Sequence, residues 1–183
     1  ESYFSDRLYE KRTDLCSMMS KWGSDKGLHT EHNYTTLYNF LFTDIRLKEL
    51  NIFEIGLGSH NINIPSNMVY MADKAIPGGS LRAWKEFFPC ANIYGADIDG
   101  NILFSEDRIK TVYCDQLNKF IVGLMLESRH IKDIQFDIII DDGLHNLPQN
   151  IDFFNMIIHK LKIGGMYIIE DVSNSFDSQA NAF

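Results

Sequence analysis

The sequence predicts a doubly wound α/β domain on a mostly parallel, Rossmann-like sheet. Three observations lead there. Short apolar stretches at 51–58, 92–99, 109–114, 136–145 and 166–169 alternate with segments of helical period, the pattern of repeated strand–helix units. The run Phe136, Ile138, Ile139, Ile140 is apolar and largely β-branched, as expected of a strand covered on both faces, which parallel sheets require. Acidic residues stand at or just beyond the end of each of these stretches, and in open α/β sheets the carboxyl edge is where ligands bind.

Composition bounds the function classes. The chain has 183 residues, 45% hydrophobic and 23% charged, enough for one globular domain with a full core. Its formal charge is -8 and it carries no basic run, which argues against nucleic acid or an anionic membrane surface as partner. No apolar run reaches the length of a membrane span, and no signal peptide is visible. Cys16, Cys90 and Cys114 are scattered without metal or redox spacing, so a reducing cytoplasm is the simplest setting. The first residue is Glu1, as in a fragment or a processed chain. The expected organisation is a helical segment over 1–50 packed on a cofactor-binding core over 51–172, then a polar tail over 173–183.

Each element follows in turn. Leu8, Leu15, Met19 and Trp22 space a helix within 3–22, closed by the polar turn 22–27. His29 and His32 lie in the next loop, either solvated or part of a site. A second helix is expected over 34–50, with Tyr34, Leu37, Tyr38, Leu41 and Ile45 on one face. The first strand ends in Glu54-Ile55-Gly56-Leu57-Gly58. Glycines there permit a tight turn and close approach to a ligand, although a plain strand-to-loop turn needs them as well. Residues 59–77 show no period and read as a lid, since so long a loop in a compact domain is usually functional or mobile. Ser80 is the expected N-cap of a helix over 81–88, which stops before Pro89.

The second strand ends in Asp97 and Asp99. A carboxylate at that point can accept both hydroxyls of a ribose; two solvated acids in a turn are the other reading. The interval from Gly58 exceeds the usual ~20 residues because the lid intervenes. After the third strand, Asp115 is a candidate cap for a helix over 117–129. The fourth strand ends in Asp141-Asp142-Gly143-Leu144-His145. Pro148 marks the first turn of a helix reaching about Lys160, with Ile151, Phe154, Ile157 and Ile158 inward, and Gly164-Gly165 terminates it. The fifth strand, 166–169, ends in Glu170 and Asp171.

Glu54, Asp97, Asp99, Asp115, Asp141, Asp142, Glu170 and Asp171 thus share one rim, where their mutual repulsion calls for ligand hydroxyls, amines or a metal. Carboxylates favour Mg²⁺, Mn²⁺ or Ca²⁺ over thiolate-loving metals.

Seven motifs in this order resemble the class I S-adenosylmethionine-dependent methyltransferases, in particular the metal-dependent macrolide-sugar O-methyltransferase and "cephalosporin hydroxylase" branch. They are Gly23-Ser24-Asp25-Lys26-Gly27 with Tyr34 and Tyr38, the 53–58 strand end, Gly78-Gly79-Ser80 through Pro89, the 93–99 strand, Cys114-Asp115-Gln116, Asp141 through His145, and Gly164 through Asp171. The resemblance implies an O-methyltransferase acting on a hydroxyl of a sugar-like small molecule, in surface-polysaccharide or natural-product biosynthesis; the sequence leaves a homo-oligomer open. It implies that Glu54, Gly56 and Gly58 contact the methionine part of S-adenosyl-L-methionine. Asp97 would take the ribose, with Asp99 as fallback, and Asp115 and Gln116 the adenine edge; Ser80, Asp141 and Tyr34 complete the cofactor set. Asp142, Glu170 and Asp171 would hold a divalent metal, Mg²⁺ first, and His145 would be the general base. Two further C-terminal strands are implied. Leu144 stands where the family usually has Ser, and Cys114 where Gly is common. Two other functions remain open at this point: a metal-dependent hydroxylase or hydrolase on the same acids and His145, and a non-catalytic cofactor- or sugar-binding domain.

Overall fold

The computed structural model describes residues 12–27, 32–65 and 67–172. The expectations for residues 3–11, His29 and the 173–183 tail lie outside the described residues.

Helix α1 (Asp14–Lys21) begins where the Thr13 hydroxyl accepts the Cys16 N–H at 3.1 Å, and it buries Leu15, Cys16 and Met19. Helix α2 (Tyr34–Phe42) is shorter than the pattern suggests and passes into a 3-10 turn at Thr43–Ile45. Its inward face also differs. Thr35, Tyr38 and Phe42 are buried, whereas Leu37 is 55% exposed. The aromatic rings decide this: Tyr38 stacks on Phe42 at 5.4 Å, and Trp84 meets Tyr38 edge-on at 5.4 Å. These larger apolar areas outweigh two leucines.

Strand β1 (Asn51–Ile55) is followed by the 59–77 segment, which contains a 3-10 turn at Val69–Lys74. Helix α3 (Gly79–Phe87) starts two residues earlier than expected. Gly78, at φ 70, is its N-cap, and Ser80 lies inside the first turn with its hydroxyl directed elsewhere. Strand β2 (Asn92–Asp97) leads to a two-residue strand β3 (Ser105–Glu106) that no periodicity announces, then to β4 (Ile109–Tyr113). Helix α4 (Lys119–Leu126) is capped by Asn118, whose side chain accepts the N–H groups of Phe120 and Ile121; Asp115 is not the cap. Strand β5 (Phe136–Asp141) and helix α5 (Leu147–Ile157) follow, with proline in the first turn of α5 as expected. Phe153 and Ile157 face inward, while Ile151 is 49% exposed. Strand β6 (Leu161–Ile169) contains Gly164-Gly165 where its register against β5 shifts, between the Phe136–Leu161 and Ile138–Met166 pairs, with Gly164 at φ 81. Those glycines belong to the strand, and the helix has ended before them.

The sheet order is β3-β4-β2-β1-β5-β6, parallel throughout except for β3 against β4. One face packs Ile52, Ile93, Ile138 and Ile140 against Leu15, Met19, Tyr38, Leu81 and Trp84. The other packs Phe53, Ile55, Tyr94 and Ile139 against Val122, Met125, Phe153 and Ile157. Helices α1, α2 and α3 therefore cover one face, and α4 and α5 the other, which is the doubly wound arrangement predicted. The chain reverses its order of travel between β1 and β5, leaving a crevice at their carboxyl ends. No helix among the described residues is long and apolar enough to cross a membrane.

Candidate functional site

A cleft of about 450 Å³ opens at that reversal, within the range of small-molecule sites. Glu54, Gly56, Gly58, Ser80, Asp97, Asp115, Gln116, Asp142, His145 and Asp171 all line it. Tyr34, Asp99, Asp141 and Glu170, also expected in the site, do not line it.

The β1–β2 wall is built mostly from the backbone. Gly56, at φ 90, donates its N–H to the Ala96 carbonyl at 2.9 Å. A Cβ on Gly56 would come within 1.9 Å of the Asp142 carbonyl oxygen, so only glycine lets β1 and β5 leave the sheet this close together. Asp97 accepts the Leu57 N–H at 2.6 Å and the Asp99 N–H at 2.8 Å, while burial pushes its carboxyl pKa up. Asp99 accepts the Ser59 hydroxyl at 2.5 Å and the Asn101 N–H at 3.0 Å, and the Ser59 bond above all holds its pKa down. Its carboxylate thus braces the start of the 59–77 segment. That segment lies over the glycine turn, with Met68 N–H on the Ser59 carbonyl at 2.8 Å and the Tyr70 hydroxyl on Asp25.

Glu54 is fully buried. It accepts the Ser80 hydroxyl at 2.6 Å and the Trp84 indole N–H at 2.5 Å, with Lys26 Nζ at 3.8 Å. Burial raises its pKa despite that ammonium.

The β5–β6 wall is built from side chains that arrive from far along the chain. Lys26, 1% exposed, places its ammonium on Asp142 and on Glu170 Oε2, the latter at 2.5 Å. Burial alone would lower the lysine pKa, but Asp142, Glu170 and Glu54 together raise it well above the ordinary value. Glu170 is 2% exposed, with its other oxygen on the Tyr38 hydroxyl, and burial pushes its pKa up. The Glu170 oxygens are therefore spent inside the protein. Asp142 and Asp171 are the acids of the expected metal set that face the cleft.

His145 Nε2 lies 3.2 Å from Asp142 Oδ1 and 3.7 Å from Asp171 Oδ2. Burial disfavours its protonated form, but the hydrogen bond and charge of Asp142, with the charge of Asp171, outweigh this and raise the imidazole pKa. His145 and Asp171 both adopt left-handed backbone, at φ 55 and φ 49. Such strain in non-glycine residues costs about 1–3 kcal/mol each and concentrates at working sites. Asp142, His145 and Asp171 offer ligand atoms within 4.8 Å of one another, and their carboxylate oxygens suit a hard divalent cation.

Asp141 is fully buried and spent on support. It accepts Gln116 Nε2 at 2.8 Å and the Tyr167 hydroxyl at 3.1 Å, while Gln116 Oε1 accepts the Leu144 N–H at 3.0 Å. Gln116 thus clamps the turn that carries Asp142 and His145.

Two residues of the site were not assigned roles from the sequence. Lys26 lies in a turn that looks like simple helix closure, yet a rim of eight acids needs an internal cation, and that requirement was the available signal. For His32 the sequence offers both a solvated loop and a site. It lines the cleft, with Nδ1 at 3.2 Å from Asp171 Oδ1.

No family model matches the chain. It is 33% identical over 165 residues to 8-demethyl-8-alpha-L-rhamnosyl tetracenomycin-C 2'-O-methyltransferase of Streptomyces olivaceus, covering 88% of this chain and 38% of that protein. It is 31% identical over 166 residues to mycinamicin VI 2''-O-methyltransferase of Micromonospora griseorubida, covering 91% and 38%. Among solved structures, MycE methyltransferase from the mycinamycin biosynthetic pathway, in complex with Mg and SAH, superposes with a TM-score of 0.69 at 31% identity, over 88% of this chain and 38% of that one. The chain spans somewhat over one third of the length of these relatives. The likeness to sugar O-methyltransferases thus extends over most of this chain, and the fold is that of a Rossmann-like methyltransferase core.

Proposed function

We propose that this chain carries the cofactor-binding core of an S-adenosylmethionine-dependent O-methyltransferase, assisted by a divalent cation and acting on a hydroxyl of a sugar-like small molecule. The observation that carries the reading is the convergence of Asp142, His145 and Asp171 at one wall of a cleft whose other wall is a glycine turn and a strand-end aspartate. The relatives named for sugar O-methylation, and MycE solved with Mg and SAH, support it. The reading brings with it a cytoplasmic setting, self-association and no nucleic-acid partner.

The residues divide the work by position. Asp97 offers its carboxylate to the ribose hydroxyls. Glu54 sets a buried negative charge toward the amino group of the methionine part, and the turn at Gly56 and Gly58 lets that part approach the backbone. Asp115 lies nearest the adenine edge. The cofactor supplies a methyl group already activated on a sulfonium, so alignment and exclusion of water are the main tasks left to the protein. Met68 and Tyr70 close the cleft on that side.

Asp142 and Asp171 would hold the cation, with Glu170 behind them bonded to Lys26 and Tyr38. When bound, it supplies Lewis acidity that eases deprotonation of the acceptor hydroxyl. His145 accepts that proton as the acceptor oxygen attacks the methyl carbon, and Asp142, hydrogen-bonded at Nε2, stabilises the imidazolium formed. Gln116 and Asp141 hold the turn so that the imidazole keeps its aim.

The hydroxylase reading needs two histidines and one carboxylate around one point. His32 and His145 do flank Asp171, but on opposite oxygens. The three-donor group found among the described residues contains one histidine and two carboxylates.

Calorimetric titration of S-adenosylhomocysteine into the folded chain tests the proposal. Saturable one-to-one binding is expected with Mg²⁺ and with EDTA. No binding in either condition sinks the methyltransferase reading.

A further inference from the structure

We infer that His32 and Tyr34 are positioning residues for Asp171, and that through it they set the affinity of the cation site. The inference rests on the cation reading above and assigns the two residues a role outside the cofactor set.

Asp171 stands two residues past the end of strand β6 and holds a left-handed backbone, uncommon for a non-glycine residue and kept by constraint from its surroundings. The Tyr34 hydroxyl supplies that constraint twice. It donates to Asp171 Oδ1 and accepts the Asp171 N–H at 3.1 Å. One hydroxyl thereby fixes both the backbone and the carboxylate of the same residue. His32 Nδ1 reaches the same Oδ1 at 3.2 Å, and its ring lies parallel on the Tyr34 ring, centroids 5.3 Å apart and planes 4° apart. Oδ1 is therefore committed to the protein. Oδ2 is turned toward His145 and the cleft, 3.7 Å from Nε2.

The grip has a firm base. Tyr34 begins α2, and Tyr38, one turn later on the same helix face, has its hydroxyl on Glu170. Two tyrosines at i and i+4 thus hold two consecutive acids. Tyr38 is buried in the core and anchors the helix, whereas Tyr34 and His32 stand half-buried at its mouthward end. Partners behind a metal's ligands fix ligand orientation, and removing one typically costs about 10–100-fold in metal affinity.

The test is titration of Mn²⁺ into the wild-type chain, Tyr34→Phe and His32→Gln, with free Mn²⁺ read by electron paramagnetic resonance. S-adenosylhomocysteine affinity and thermal midpoint are measured on the same preparations. Mn²⁺ affinity is expected to fall about tenfold or more in Tyr34→Phe and by a smaller factor in His32→Gln, with S-adenosylhomocysteine affinity unchanged. A purely packing role would lower the thermal midpoint without moving Mn²⁺ affinity, and that result overturns the inference. Should Tyr34→Phe fail to fold, His32→Gln decides alone, because His32 lies at the cleft mouth and outside the core. Wild-type affinity for Mn²⁺ in the folded variants sinks this inference only. Absence of Mn²⁺ binding in the wild type sinks the cation reading and the inference with it.

Discussion

The two walls of the cleft are made in different ways. On the β1–β2 side, Asp97 is held by the N–H groups of Leu57 and Asp99, and Gly56 by the Ala96 carbonyl. Each of these bonds is donated by a backbone N–H at adjacent strand ends, so that wall is present once the sheet forms. On the β5–β6 side, Asp142, Glu170 and Asp171 are held by Lys26, Tyr38, Tyr34 and His32, more than 100 positions earlier in the chain. That wall exists only when Lys26, His32 and helix α2 have docked, and two of its residues sit in strained backbone. A wall set by the sheet itself suits a ligand that is the same molecule in every turnover. A wall assembled by side chains allows acids of like charge to be brought together around one cation.

The largest expected effect falls on the assembled wall alone. His145→Ala should lower methyl transfer by about 10²–10⁴-fold, with S-adenosylhomocysteine affinity retained in calorimetry. A parallel loss of cofactor affinity would mean that the two walls are not separable. Gly56→Ala strikes where they touch, because the new Cβ meets the Asp142 carbonyl. It should cost about 3 kcal/mol of stability and weaken both cofactor and Mn²⁺ binding, seen as a lower denaturation midpoint and two weaker isotherms. Asp97→Asn should weaken S-adenosylhomocysteine by roughly 1.5–3 kcal/mol, the range for hydrogen bonds to a charged group, and leave Mn²⁺ affinity unchanged. Gln116→Leu is the smallest and the sharpest. If Gln116 is the clamp of the Asp141–Leu144 turn, chemical denaturation should show a loss of about 1 kcal/mol and turnover should drop without a matching change in cofactor affinity. A change in cofactor affinity alone would return Gln116 to the adenine edge.

The same contrast explains what could be read from the sequence. The five long strands, the acids at their ends and the Gly56/Gly58 turn follow from local pattern, and the cofactor wall is local. Strand β3 could not be read, since two residues carry no period. The inward face of α2 is not legible in the sequence because Leu37 and Tyr38 fit a helical stripe equally well until Trp84 chooses between them. Asp141 and Asp142 are adjacent and chemically identical. Strand alternation sends one to Gln116 and Tyr167 and the other to the cleft, and neither residue type reveals which. Lys26 and His32 are invisible to spacing because their partners are brought near only by the docking of α1 and α2 on the sheet.

The most direct measurement is a crossed titration: S-adenosylhomocysteine and Mn²⁺, each into Asp97→Asn and Asp142→Asn. The account predicts that Asp97→Asn loses affinity for the first ligand and keeps the second, and that Asp142→Asn does the reverse. If both variants lose both ligands while still folded, or if neither ligand binds the wild-type chain, the division of the cleft into a cofactor wall and a cation wall is wrong.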